Sequence, residues 1–154
     1  GTIRSDGAKF QCLHCHTESE YTETLSIEPP FGGYSHIYEW FEWERHEIAA
    51  LLADGGSVSD SGILFRESVK MKKKIKLPGD TVTMNRSELC IAGKGYKQRY
   101  PLSQIDAITA VGKKKFNFYF QGKILQVKGD SRFCSIKYVH AFDGLKALSK
   151  KEDT

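Results

Sequence analysis

No apolar run in these 154 residues approaches the roughly 18 to 20 needed to cross a bilayer as a helix. The opening GTIRSDGAKF contains no apolar stretch of the kind a secretory signal needs. Neither an integral helical membrane protein nor a secreted precursor is therefore expected. Cysteine is scarce as well: there are four, and only two lie close together, which does not make a disulfide framework. The close pair reads as a metal or thiol pair in a reducing compartment, so a cytoplasmic location is expected. The chain also lacks an initial methionine. With Gly1 read as a cloning remnant, this polar start predicts a fragment of something longer.

What is present begins with Cys12-Leu13-His14-Cys15-His16. A structural zinc site is closed by four Cys or His ligands, usually two pairs, because a single pair leaves half the coordination sphere to water. Cys12 and Cys15 are the candidate metal ligands and zinc the candidate cofactor, with His14 or His16 completing part of the shell and His36 as a more distant candidate. The competing reading is a metal-free remnant, since one pentapeptide is strained to supply four ligands. Cys90 and Cys134 stand alone in β-like segments, where a buried small hydrophobe is the commoner role.

The net charge of +4 hides a strong asymmetry. Residues 1 to 61 hold three Lys/Arg against eleven Asp/Glu, and residues 62 to 128 hold fifteen against four. Lys70, Lys72, Lys73, Lys74 and Lys76 form one basic run, and Lys113, Lys114 and Lys115 a second. Lys94, Lys97 and Arg99 lie between them. If the fold brings the two runs together they make a patch suited to phosphate headgroups. The alternative is that the basic segment docks the acidic one, or is simply a solvated face.

One helix is expected over residues 35–55, with Ser35 as N-cap, Ile37, Phe41, Ile48, Leu51 and Leu52 on its apolar stripe, and Glu44 as the polar intruder. Trp40 and Trp43 widen that stripe, and Gly55 or Gly56 ends the helix. Upstream, PPFGGY over 29–34 reads as a linker, and residues 1–28 as a partial zinc-ribbon segment. From Val69 onward short alternating segments and turns follow one another: KIKL, TVTM, ELCI, QRYPL, IDAITAV, KFNFYF and KILQVK. Gln121-Gly122 marks a tight hairpin. A last strand over Arg132 to Ile136 is expected to run into a helix carrying Val139, Phe142 and Leu145. The fold class is thus α+β, mainly β. About seven strands with a closing helix over 56–150 resemble a bent barrel of the pleckstrin-homology or GRAM kind, leaving 151–154 as a tail.

A second resemblance rests on FQCLHCHTE followed by YSHIYEWFEWERHEI. Cys12, Cys15, Ser35, His36, Ile37, Trp40, Trp43, Glu44 and Arg45 are similar to the C-terminal extension of bacterial 1-acylglycerol-3-phosphate acyltransferases. There a zinc-ribbon-like segment precedes an SH-I-x-x-W-x-x-WER-like helix and a β-rich tail. The resemblance implies a non-catalytic module that positions or regulates its parent enzyme at an anionic phospholipid membrane. Its partners would be that membrane, at the inner face, and the parent's own N-terminal acyltransferase domain. Two departures limit it. The ribbon's second Cys pair, expected between Tyr21 and Ser35, is missing, and so is the catalytic His-x-x-x-x-Asp, in which the carboxylate orients a histidine that deprotonates the acceptor hydroxyl. Either the chain then breaks in that interval and the ribbon is real but partly unseen, or it runs on continuously and Cys12 and Cys15 are a remnant without zinc.

Two other classes compete. One is a free-standing interaction domain that binds a protein or peptide at a sheet edge. The other is a nucleic-acid-binding zinc-ribbon protein, ranked lower because alternation puts Phe116, Phe118 and Phe120 on a core face and not on a stacking platform.

Overall fold

The computed structural model describes residues 3–69 and 73–152. The chain divides into two compact units, Gly1–Glu44 and Arg45–Thr154.

In the first unit β1 (Ile3–Asp6), β2 (Lys9–Cys12), β3 (Glu18–Tyr21), β4 (Ser26–Phe31) and β5 (Tyr34–His36) form an antiparallel meander in chain order. The apolar side chains at least half-buried on these strands are few, chiefly Phe10, Tyr21, Ile27, Phe31 and Tyr34, so the interior is assembled largely from rings. Phe10 stacks on Tyr21 at 4.6 Å and meets Phe31 edge-on at 5.2 Å, while Phe31 stacks on Trp40 at 5.2 Å. Such pairs add roughly 0.5–1.5 kcal/mol each beyond their buried area. The PPFGGY stretch expected as a linker is instead the end of β4, a turn and the start of β5. Phe31 pairs with Tyr34 across Gly32 and Gly33, whose φ of 60° and 86° give the paired left-handed residues of a two-residue hairpin turn. Between Ser26↔His36 and Phe31↔Tyr34 the β4–β5 ladder is irregular, where Pro29 and Pro30 have no N–H to donate. Residues 22–36 therefore run continuously through two hairpin connections.

Helix α1 (Ile37–Ala53) gives its first eight residues to this unit and the rest to the second. Its start corrects the expected cap. His36, not Ser35, precedes the helix, and Glu39 Oε2 accepts from both Ser35 N and His36 N at 3.2 Å, the acidic half of a capping box. The helix ends as expected. Gly56 N donates to Leu51 O and Gly55 N to Leu52 O, with Gly55 at φ 88°, which together make a Schellman stop. A Cβ on Gly56 would lie 2.7 Å from Leu51 O. The apolar stripe is rotated from its expected centre: Ala49 and Leu52 are buried, whereas Phe41 and Leu51 are about half exposed at 47% and 49%. Glu44 and Arg45 take up part of the inward sector instead.

In the second unit β6 (Val58–Ser61), β7 (Leu64–Ser68), β8 (Lys74–Lys76), β9 (Thr81–Met84), β10 (Glu88–Gly93), β11 (Tyr96–Pro101), β12 (Ile105–Ala110), β13 (Lys115–Phe120) and β14 (Lys123–Lys128) precede helix α2 (Ile136–Glu152). They form two antiparallel sheets, β11-β10-β9-β6 and β12-β13-β14-β7-β8. Strands β8 to β14 are the seven that alternation predicts, while β6 and β7 are additional. Neither sheet closes on itself, so the mainly β, α+β class holds and the barrel of the expectation is two open sheets sharing a core. Phe65, Met84, Leu89, Phe116, Phe118 and Tyr138 are among the fully buried side chains at its centre. At the β13–β14 turn Phe120 pairs with Lys123 and Gln121 has φ 50° beside Gly122 at 75°, the expected tight turn. Arg132 to Ser135 is a turn and not a strand, and Ile136 already begins α2: Asp130 Oδ1 accepts from Arg132 N at 2.8 Å, and Ser135 Oγ donates to Gly112 O at 2.7 Å. Phe133 is thereby set into the core against Phe116 and Tyr138. Among the described residues no helix is long and apolar enough to cross a membrane.

Candidate functional site

Strands β13, β14 and β7 turn Phe116, Phe118, Leu125, Val127 and Phe65 toward the core. Period-two alternation then sends Lys115, Asn117, Gln126, Lys128 and Arg66 to the opposite face. Register aligns this outer face across the sheet. Asn117, Gln126, Arg66 and Lys76 lie in one cross-strand row, and Lys115 pairs with Lys128 in the next. Side-chain bonds confirm the shared face: Gln126 Nε2 donates to Asn117 Oδ1 at 2.8 Å, and Lys74 Nζ donates to Gln126 Oε1 at 2.9 Å. The result is a cationic face of Lys74, Lys76, Arg66, Lys128 and Lys115. Lys115 lies three strands from Lys76, or about 14 Å at the usual inter-strand spacing.

Three described carboxylates, one on this sheet and two on the other, are engaged in ion pairs. Glu67 pairs with Lys123 at 3.7 Å, Glu88 with Arg99 at 3.0 Å, and Asp60 with Lys137 at 2.6 Å. None of these described ion pairs includes Arg66, Lys76, Lys115 or Lys128. Lys113 and Lys114 sit in the β12–β13 turn at the Lys115–Lys128 end, where Lys113 O accepts from Ser135 N and Lys114 O from Gly129 N. Lys73 O accepts from Val69 N in the β7–β8 connection. Lys70 and Lys72 lie outside the described residues. Lys94, Lys97 and Arg99 belong to the other sheet or its turn. Arg66 and Lys128 were not singled out from the sequence, although their parity with Phe65 and Val127 would have placed them on this face once the pairing was known.

The cysteine pair occupies the β2–β3 connection. Cys15 N donates to Cys12 Sγ at 3.5 Å, His16 N to Cys12 O at 2.9 Å and Cys12 N to Thr17 O at 2.9 Å. His16 turns through φ 59°. A tight turn of this kind directs an amide at the first sulfur and folds the second Cys back beside it. Cys15 Sγ lies 3.2 Å from Thr17 Oγ1. The hydrogen bond from that hydroxyl, followed by those from the Thr17 backbone and the Cys12 side chain, draws the Cys15 thiol below its ordinary pKa. Leu13, His14, Cys15 and His16 are exposed.

Glu20↔Glu28, extended by the 2.8 Å bond from Ser19 Oγ to Pro29 O, brings the Gly32-Gly33 turn to the same end of the sheet as the cysteine turn. His36 is at the far end, opposite Ser26, about 17 Å along β4 at the usual rise of a strand. Among the described residues no group of three or more His, Cys, Asp or Glu side chains converges on one point. A cleft of about 410 Å³ on the first sheet is lined by side chains of both signs, among them Arg4, Asp6, Lys9, Glu18 and Glu28.

No protein-family model and no curated protein matches the chain.

Proposed function

We propose that this chain is a non-catalytic module of a bacterial lysophosphatidate acyltransferase-like protein, holding its parent enzyme at the cytoplasmic face of an anionic phospholipid membrane. The observation that carries the membrane part is the outer face of the β12-β13-β14-β7-β8 sheet. Five cations from four strands, Lys115, Lys128, Arg66, Lys74 and Lys76, stand on one side of a rigid sheet. Each cation near an anionic leaflet contributes about 1 kcal/mol, and the attraction fades beyond a Debye length. The parental link rests on the FQCLHCHTE and YSHIYEWFEWERHEI resemblance.

Co-sedimentation with vesicles containing phosphatidate or phosphatidylglycerol tests the reading. Binding is expected at low salt, falling steeply as salt rises. Replacing Arg66, Lys115 and Lys128 together by Gln should weaken it about 100-fold, at about 1 kcal/mol per charge. Replacing Lys97 and Arg99 on the other sheet should change it far less. Absence of binding at low salt would sink the membrane reading. A second reading is favoured by the open edges at β8, β12, β11 and β6, to which an extended peptide could add a strand. Peptide binding that ignores both salt and the triple substitution would favour it.

A further inference from the structure

We propose that Cys12 and Cys15 of one chain and the same pair of a second copy close a four-thiolate zinc site, joining two protomers through their β2–β3 turns. This inference stands apart from the membrane reading and rests on the geometry of the turn. Cys15 N points at Cys12 Sγ at 3.5 Å, and the left-handed His16 folds the turn back, so both cysteines lie at one corner, Cys15 exposed and Cys12 half-buried. The thiolate is the form of cysteine that binds metal. Two thiolates fill half of the tetrahedral shell that zinc requires in a structural site.

Among the described residues of the first unit, none supplies the other half. The turn that shares an end of the sheet with the cysteines is Gly32-Gly33, His36 lies at the opposite end, and no third ligand converges on the pair among the described residues. Exposure of Leu13, His14, Cys15 and His16 leaves the corner open to an identical corner. A two-fold axis through the metal would then satisfy both chains with one surface, the commonest form of homo-oligomer contact. Closing the site converts four thiols to thiolates and releases their protons to solvent, so zinc retention weakens as pH falls.

The test uses the whole chain with zinc ions alone, in the presence of a reductant that does not bind metal. Expected are one zinc retained per two chains and a doubling of mass in sedimentation velocity that a chelator reverses. Cobalt in place of zinc should give a spectrum of four thiolates in a tetrahedral field. Joint Cys12→Ser and Cys15→Ser replacement should abolish zinc retention and the doubling, while His14→Ala with His16→Gly, which preserves the left-handed turn, should leave both intact. The comparison of the unsubstituted chain with and without zinc needs no variant to fold. One zinc per monomeric chain, a cobalt spectrum altered by the His replacements, no retained zinc, or a dimer indifferent to the chelator would each overturn the proposal.

Discussion

Among the described residues, nineteen buried apolar side chains share one core in the second unit, whereas the first unit buries Phe10 and Ile27 and completes its interior with the partly exposed rings of Tyr21, Phe31 and Trp40. The contrast follows from chain length. A unit of 44 residues is near the size at which a single core stops being sufficient, and metals, disulfides or docking commonly supplement it. The larger unit can rely on burial alone. The smaller one depends on stacked rings, a Gly-Gly turn and, under the zinc proposal, an added cross-link at its cysteine corner.

The comparison is tested most sharply by removing one ring from each unit. Phe118 is fully buried, stacked on Phe65 at 6.2 Å and edge-on to Tyr100 at 5.0 Å. Its replacement by Ala should cost about 3–5 kcal/mol, measured by the far-UV circular dichroism transition in denaturant. Phe10→Ala should fall at the low end, about 3 kcal/mol, because solvent-accessible neighbours can settle into the space. Both tryptophans, Trp40 and Trp43, belong to the first unit, so fluorescence reports it selectively. Phe10→Ala should move the fluorescence transition more than the dichroism one, and Phe118→Ala the reverse. If the two probes shift together in both variants, the units unfold as one and the contrast in core size has no thermodynamic consequence.

A smaller effect, with a sign that is not obvious, is expected at Gly144 in α2. In an exposed helix Gly→Ala gains roughly 1 kcal/mol. Here a Cβ would lie 2.7 Å from Ala49 Cβ and 3.2 Å from Arg45 O of α1, so the helices approach too closely to accept it. Overpacking costs about 1–3 kcal/mol, and the net result should be destabilisation by about 1 kcal/mol in denaturant melts. A stabilised variant would mean that the α1–α2 contact yields, and that the second unit's core is less rigid than its burial implies.

How legible each unit was in the sequence follows the same difference. TVTM and KFNFYF alternate so strongly that β9 and β13 could be read within a residue or two, because a large core imposes period two on the strands that cover it, and the Gln121-Gly122 turn then marks KILQVK as β14. VSDS and LFRES offer too few apolar positions to announce β6 and β7, which are held by pairing with β9 and β14. In the first unit KFQC and ESEY carry one ring each, so PPFGGY looked like a linker although it closes a hairpin. Helix α1 was visible from its spacing and its Gly stop, but Phe41 and Leu51 were assigned inward because composition does not say where a stripe is centred. The lysine runs of the candidate site could be seen. Their union into one face could not, because it depends on Arg66 and Lys128 and on a strand register that sequence parity alone does not supply.

The smallest expected effect concerns Glu44, the polar residue on the inward sector of α1 in the small unit. Burial raises its carboxyl above the usual value near 4.5, against the opposing hydrogen bond from the Trp40 side chain. The Tyr21 phenol is raised as well, first by burial and then by the Glu44 charge. A carboxyl whose folded pKa is raised favours the folded state in its neutral form. Stability is therefore full below the unfolded pKa and declines as pH rises through it toward the folded value, after which the loss is constant. Glu44→Gln keeps an acceptor for the Trp40 indole and never ionises. It should stabilise the first unit at neutral pH by only a few tenths of a kcal/mol, since the side chain is partly exposed and solvent screens its charge. The gain should vanish near pH 3, where the native carboxyl is protonated in both states. Fluorescence-monitored denaturation of both proteins at pH 3 and pH 7 measures this. An equal offset at the two pH values would show that the substitution acts through packing, and that even the sparse interior of the smaller unit is governed by fit and not by the charge it encloses.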